Sequence, residues 1–137
     1  MLFINNKDEL SRSEEYKIYY YRNSRTKKVL VLEYIQKISA KESVKIAAYI
    51  ILLKDCRGQL DEPYSRYICS GMRELRIDFA RNRHRIFYLI VEGKKIILLH
   101  AFLKKTAKTP RQEIVRALNN FGDYKINKNL VEYEKQK

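Results

Sequence analysis

The chain has 137 residues and carries 29 lysines and arginines against 16 acids, a formal charge of +13 at pH 7. That length suits one domain with an ordinary core and excludes a second independent one, while the charge favours a polyanionic partner without choosing among RNA, DNA, an anionic membrane and an acidic protein. No apolar run approaches the roughly 20 residues of a membrane span. Met1 to Asp8 lacks a signal-peptide pattern, and Cys56 and Cys69 have neither a metal-site spacing nor a disulfide framework. The expectation is a cytoplasmic protein with no membrane partner, two buried thiols, and neither metal nor cofactor.

Residues 1–15 are polar and irregular and form an N-terminal extension. Tyr16 to Tyr21 has the aromatic and branched content of a strand. From Lys27 to Ile38 the spacing of Val31, Leu32, Ile35 and Ile38 predicts a helix. Ser39 and Glu42 have capping-box spacing for a second helix, with Val44, Ala47, Ala48 and Ile51 as its apolar stripe and Gly58 as its stop. Gln59 to Tyr67 is a loop, because Pro63 interrupts either periodicity.

Three strands follow, Met72 to Phe79, Arg85 to Val91 and Lys95 to Leu103, with a hairpin turn at Glu92-Gly93-Lys94. A third helix starts at Thr109 as N-cap, with Pro110 in its first position and Gln112 completing a capping box. Ile114, Ala117, Leu118 and Phe121 share its face, and Gly122 ends it. The order β-α-α-β-β-β-α predicts an α+β domain, an antiparallel sheet with helices packed on one face. Asp123 to Lys137 is a polar tail, either mobile or docked through Leu130, Val131 and Tyr133.

The chemistry concentrates in His100-Ala101-Phe102-Leu103-Lys104-Lys105-Thr106 and the Lys108 that follows, where an imidazole and several ammonium groups close an apolar strand. His100 alternates with Ile96, Leu98 and Phe102, as either a hydrogen-bonded core histidine or a functional one. Arg73 and Arg76 fall on opposite faces of a regular strand, so only one of them can address a given ligand. Metal-free RNA cleavage needs activation of a 2′-hydroxyl, stabilisation of a phosphorane and protonation of the departing 5′-oxygen. Arginine suits the phosphate contacts, and histidine is the residue type suited to proton transfer near neutrality, which singles out His100. Crowding by cations lowers the pKa of an adjacent imidazole or ammonium and improves either as a base.

Glu62-Pro63-Tyr64, Gly71-Met72-Arg73-Glu74-Leu75-Arg76, Arg85-Ile86-Phe87-Tyr88 and Leu98-Leu99-His100-Ala101-Phe102-Leu103-Lys104-Lys105-Thr106 with Thr109-Pro110 occur in an order and spacing that resembles the RelE/ParE toxin superfamily. Within it the chain looks like the HigB-like, phage-derived branch of type II toxin–antitoxin toxins. The resemblance covers Tyr16 to Gly122, giving a toxin domain over 16–122 between the extension and a 123–137 tail. It implies a compact RelE-like fold and a ribosome-dependent mRNA endoribonuclease that inhibits translation by metal-independent 2′-hydroxyl attack. It further implies mRNA on the ribosome and a cognate antitoxin as partners, with operator DNA reached through the antitoxin. By position it assigns Arg76, His100 and Lys105 to catalysis and Arg85 to substrate binding, and Arg73, Lys104 and Lys108 are expected as further substrate-binding cations. Arg73 stands where an aromatic residue is common, as an extra RNA contact or a snorkelling surface residue, and Ala101 stands where glycine is common. The alternatives are a ParE-like gyrase inhibitor and a non-catalytic RNA-binding or antitoxin-docking module.

Overall fold

The apolar runs become strands of one sheet in the computed structural model, which describes residues 16–134. The N-terminal extension, 1–15, lies outside the described residues. The strands are β1 (Lys17–Tyr21), β2 (Ser65–Cys69), β3 (Met72–Phe79), β4 (Asn82–Val91), β5 (Lys95–Lys104) and β6 (Leu130–Glu132); the helices are α1 (Leu30–Lys37), α2 (Ala40–Asp55) and α3 (Arg111–Asn127). The sheet order is β2-β3-β4-β5-β1-β6, antiparallel except that β1 runs parallel to β5.

The fold is α+β and consistent with a RelE-like domain, with two differences in detail from expectation. The sheet is mixed, and the helices cover both faces. Ile18, Leu75, Ile86, Tyr88, Ile96 and Leu98 pack under α1 and α2. Met72, Phe87, Leu89, Ile97, Leu99 and Phe102 pack with Ala117 and Tyr124 of α3 on the other side. The reason is legible in β4 and β5: His84–Leu89 and Ile96–Leu99 are buried without interruption, so both faces need a cover.

At the start of α2 the Ser39 hydroxyl accepts the Glu42 backbone N–H at 3.2 Å and donates to Glu42 Oε1 at 2.8 Å, as the capping box predicts. The helix closes in a Schellman turn: Gly58 N–H bonds to Leu53 O at 2.8 Å and Arg57 N–H to Lys54 O at 2.9 Å. Its buried stripe, however, is Glu42, Ile46, Ile50 and Leu53. Val44 is 70% exposed, and Val44, Ala47, Ala48 and Ile51 instead line an open groove of about 910 Å³ with Ile35, Ile38 and the rings of Tyr20 and Tyr133. The helix has two apolar stripes, and the one with the larger aliphatic side chains removes more area from water against the sheet.

Three further boundaries move. Ser65–Cys69, expected mostly as loop, pairs with β3 as an edge strand containing a bulge between Tyr67 and Cys69. Thr109 does not cap α3; Pro110 holds that position without a side-chain cap, and the Thr109 hydroxyl is used elsewhere. The helix passes through Gly122 to Asn127 because the turn beyond it is anchored. Tyr124 is buried, and Asp123 accepts the Tyr21 hydroxyl and the Ser24 backbone and side chain. Lys128, at φ 53°, turns the chain so that β6 adds to β1. Cys56 and Cys69 are unpaired and only partly buried. No helix among the described residues is long and apolar enough to cross a membrane.

Candidate functional site

Antiparallel registry carries the site. Across β3, β4 and β5, Asp78 faces Arg83 and Arg83 faces Lys104; Arg76 faces Arg85 and Arg85 faces Phe102; Glu74 faces Phe87 and Phe87 faces His100. Neighbouring strands lie about 4.8 Å apart, so these residues form three adjacent rows on the α3 side of the sheet. The arginine-bearing strands thus lie beside the His100 strand.

Glu74, 1% exposed, is the centre of the charged rows. Its Oε1 lies 3.8 Å from both Arg76 Nε and Arg85 Nε, and its Oε2 accepts the Thr109 hydroxyl at 2.9 Å. Arg85, also 1% exposed, donates from Nη1 to Asp78 Oδ1 at 2.7 Å and to the His84 carbonyl at 3.0 Å. Arg76 Nη1 reaches Glu62 Oε1 at 3.5 Å. Lys104 is 6% exposed, and its pKa is lowered by burial and by Arg85, Arg76 and Arg83, with Glu74 opposing.

The arrangement leaves positive charge in excess. One buried carboxylate answers Arg85, Lys104 and the largely buried Arg76, while the other acids nearby, Asp78 and Glu62, are mostly exposed. Arg76 Nε and Arg85 Nε are buried and have no hydrogen-bond partner among the described residues. Buried donors of this kind normally find an acceptor, and an anion entering between them would supply one with charge-assisted bonds.

A bulge sets the direction of His100. Phe87 pairs with His100 but Tyr88 pairs with Leu98, leaving Leu99 without an opposite residue. The extra residue reverses the alternation, so His100 shares a face with Phe102 but not with Ile96 and Leu98, correcting the simple period-two expectation. Its Nε2 lies 2.9 Å from Glu113 Oε1 on α3, and Glu113 also accepts Arg116 Nη1 at 3.1 Å. The imidazole stacks on Phe102, with centroids 5.8 Å apart.

The remaining expected residues do not join the rows. Lys105 and Lys108 are exposed in the connector between β5 and α3. Arg73 lies on the opposite face, where its Nε donates to Ser65 Oγ at 2.8 Å and its Nη2 to Leu60 O at 3.2 Å, tying β3 to the β2 edge. Arg83, Glu74, Thr109 and Glu113 were not among the expected site residues. The period-two series Glu74, Arg76, Asp78 and Arg83, Arg85 is the signal that points to the first two.

Behind the site, on the α1 and α2 side, lies His84. Its Nε2 is 2.5 Å from Glu42 Oε2 and its Nδ1 2.6 Å from the Tyr34 hydroxyl, and Asn82 donates to the same carboxylate at 2.9 Å. Hydrogen bonds from Asn82, His84 and Ser39 draw the Glu42 pKa down to about 2. Burial, aided by the Glu42 charge, pushes Tyr34 up to about 12. These closed bonds tie α1 and α2 to the strand that bears Arg85.

Residues 33–122, well over half of the chain, match the family described as Phage derived protein Gp49-like (DUF891). A comparison with curated proteins finds no match.

Proposed function

The chain belongs to the phage-derived Gp49-like family, which is associated with toxin–antitoxin systems, and from that membership together with the cationic rows we propose that it is a type II toxin, a ribosome-dependent mRNA endoribonuclease restrained by a cognate antitoxin. What carries the proposal is the pair of buried guanidinium Nε atoms that lack a hydrogen bond among the described residues, set beside a buried lysine. A phosphodiester entering there gains two preorganised cations, and the interaction strengthens as the phosphorane gathers charge. Attack by the 2′-hydroxyl then leaves a cyclic phosphate without a cofactor. The exposed Lys105 and Lys108 suit flanking phosphates, and the cytoplasm is where such a toxin meets translating ribosomes.

Induction of the chain without an antitoxin, followed by mapping of mRNA ends, tests this. Growth arrest with new ends inside translated codons is expected. Arg76→Ala should reduce cleavage severely even at saturating ribosome, and Arg76→Lys should restore only part, because one ammonium cannot reproduce a planar two-donor fork. Intact mRNA with gyrase-linked DNA breaks would overturn the proposal in favour of a gyrase inhibitor. Unimpaired growth would favour a docking module.

A further inference from the structure

Cleavage at this site needs a proton donor for the departing 5′-oxygen, and the arginines cannot serve, because a guanidinium keeps its proton at any working pH. His100 has its Nε2 committed to Glu113 and is stacked on Phe102, one row beyond the guanidinium pair. Lys105 lies in solvent past the end of β5. Lys104 is different. It closes β5 on the same face as Arg85, directly across from Arg83, and it is almost wholly buried. Glu74 and Arg76 from β3 and Arg83 and Arg85 from β4 are the charged groups that face it. Three of those four are permanent cations. An ammonium in that company, removed from water, gives up its proton more readily than a surface lysine.

We infer that Lys104 is the general acid of the cleavage proposed above, donating its Nζ proton to the departing 5′-oxygen while Arg76 and Arg85 hold the scissile phosphate; the inference rests on the endoribonuclease proposal. In the step, the 2′-oxygen bonds to phosphorus and releases its proton to water. The bond from phosphorus to the 5′-oxygen breaks with its electron pair on oxygen, and that oxygen takes the proton from Nζ. Lys104 is left as a neutral amine, which relieves its desolvation and its repulsion by the arginines, and it regains a proton from solvent.

Single-turnover cleavage on programmed ribosomes tests the assignment with two mRNAs, one ordinary and one with sulfur in place of the scissile 5′-oxygen, whose thiolate departs without a proton. Lys104→Arg, which keeps the charge but cannot donate at working pH, should cut the ordinary mRNA about 100-fold or more slowly. The parent rate should fall as pH rises past the lysine's titration, and Lys104→Arg should lack that limb. On the sulfur-substituted mRNA, Lys104→Arg and Lys104→Met should return to within a few-fold of the parent, which also shows that both variants are folded. Arg76→Ala should stay slow on both. A Lys104→Arg variant at the parent rate on ordinary mRNA, or equally impaired on both mRNAs, overturns the role of Lys104 while leaving the endoribonuclease proposal standing. If the parent cuts neither mRNA, that proposal fails and the role of Lys104 falls with it.

Discussion

Glu74 shows how much one residue can decide. It is the buried carboxylate among Arg76, Arg85 and Lys104, and without it those cations keep only the exposed Asp78 and Glu62 as compensation. Removing one member of a buried charge group typically costs about 3–5 kcal/mol, because the survivors remain desolvated. Glu74→Gln should therefore lower unfolding stability by that order in urea titrations, and unchanged stability would mean that the rows are solvated. His100 offers a contrast. Its Nε2 contact to Glu113 joins β5 to α3, and an amide can replace that contact, so His100→Gln should slow cleavage less than Lys104→Arg does. On the far face, Glu42 supplies a pH dependence. Its folded pKa of about 2 lies below the ordinary 4.5, so its stabilisation is complete above 4.5 and is lost as pH falls from there toward 2. The urea midpoint should drop across that window, and Glu42→Gln should flatten the drop.

At the scale of elements, ends and irregularities matter more than the regular stretches. Gly58 closes α2 at φ +75°, and a Cβ there would overlap Ile90 Cδ1 on β4. Gly58→Ala should cost about 1–3 kcal/mol in denaturant titrations, from backbone strain and overpacking together, and a neutral result would show that Ile90 yields freely. The bulge at Leu99 has the converse role: one unpaired residue turns His100 from the α1 and α2 face to the α3 face. Thr109 gives up the cap of α3 and bonds Glu74, so the entry to that helix is tied to the charged rows.

At the scale of the molecule, the two sheet faces divide the work. The α1 and α2 side closes its polar groups on one another through His84, Glu42 and Tyr34, whereas the α3 side keeps two buried guanidinium Nε donors without a hydrogen bond among the described residues. With a formal charge of +13, RNA binding should weaken steeply with salt, as lysine and arginine contacts displace condensed counterions from the strand. A plot of log affinity against log salt should have a slope near −0.7 for each phosphate contacted, and Lys105→Ala should reduce its magnitude by about one contact. A salt-independent affinity would contradict a phosphate-reading surface.

The sequence by itself determined the local pieces: the strand alternation that separates Arg73 from Arg76, the Ser39 cap of α2, and the turn at Glu92-Gly93-Lys94. Each depends on neighbours a few residues apart, where periodicity and turn chemistry act directly. Only the tertiary structure decided which stripe of α2 is buried, that α3 covers the second face, that a bulge re-aims His100, and that Lys104 is buried while Lys105 is exposed. Those outcomes depend on strand register and helix docking, which come from contacts between residues distant in the chain and leave no local period to read. Glu74 shows the difference: its position on a strand follows from alternation, but its place between two guanidinium groups exists only once β3 and β4 are in register.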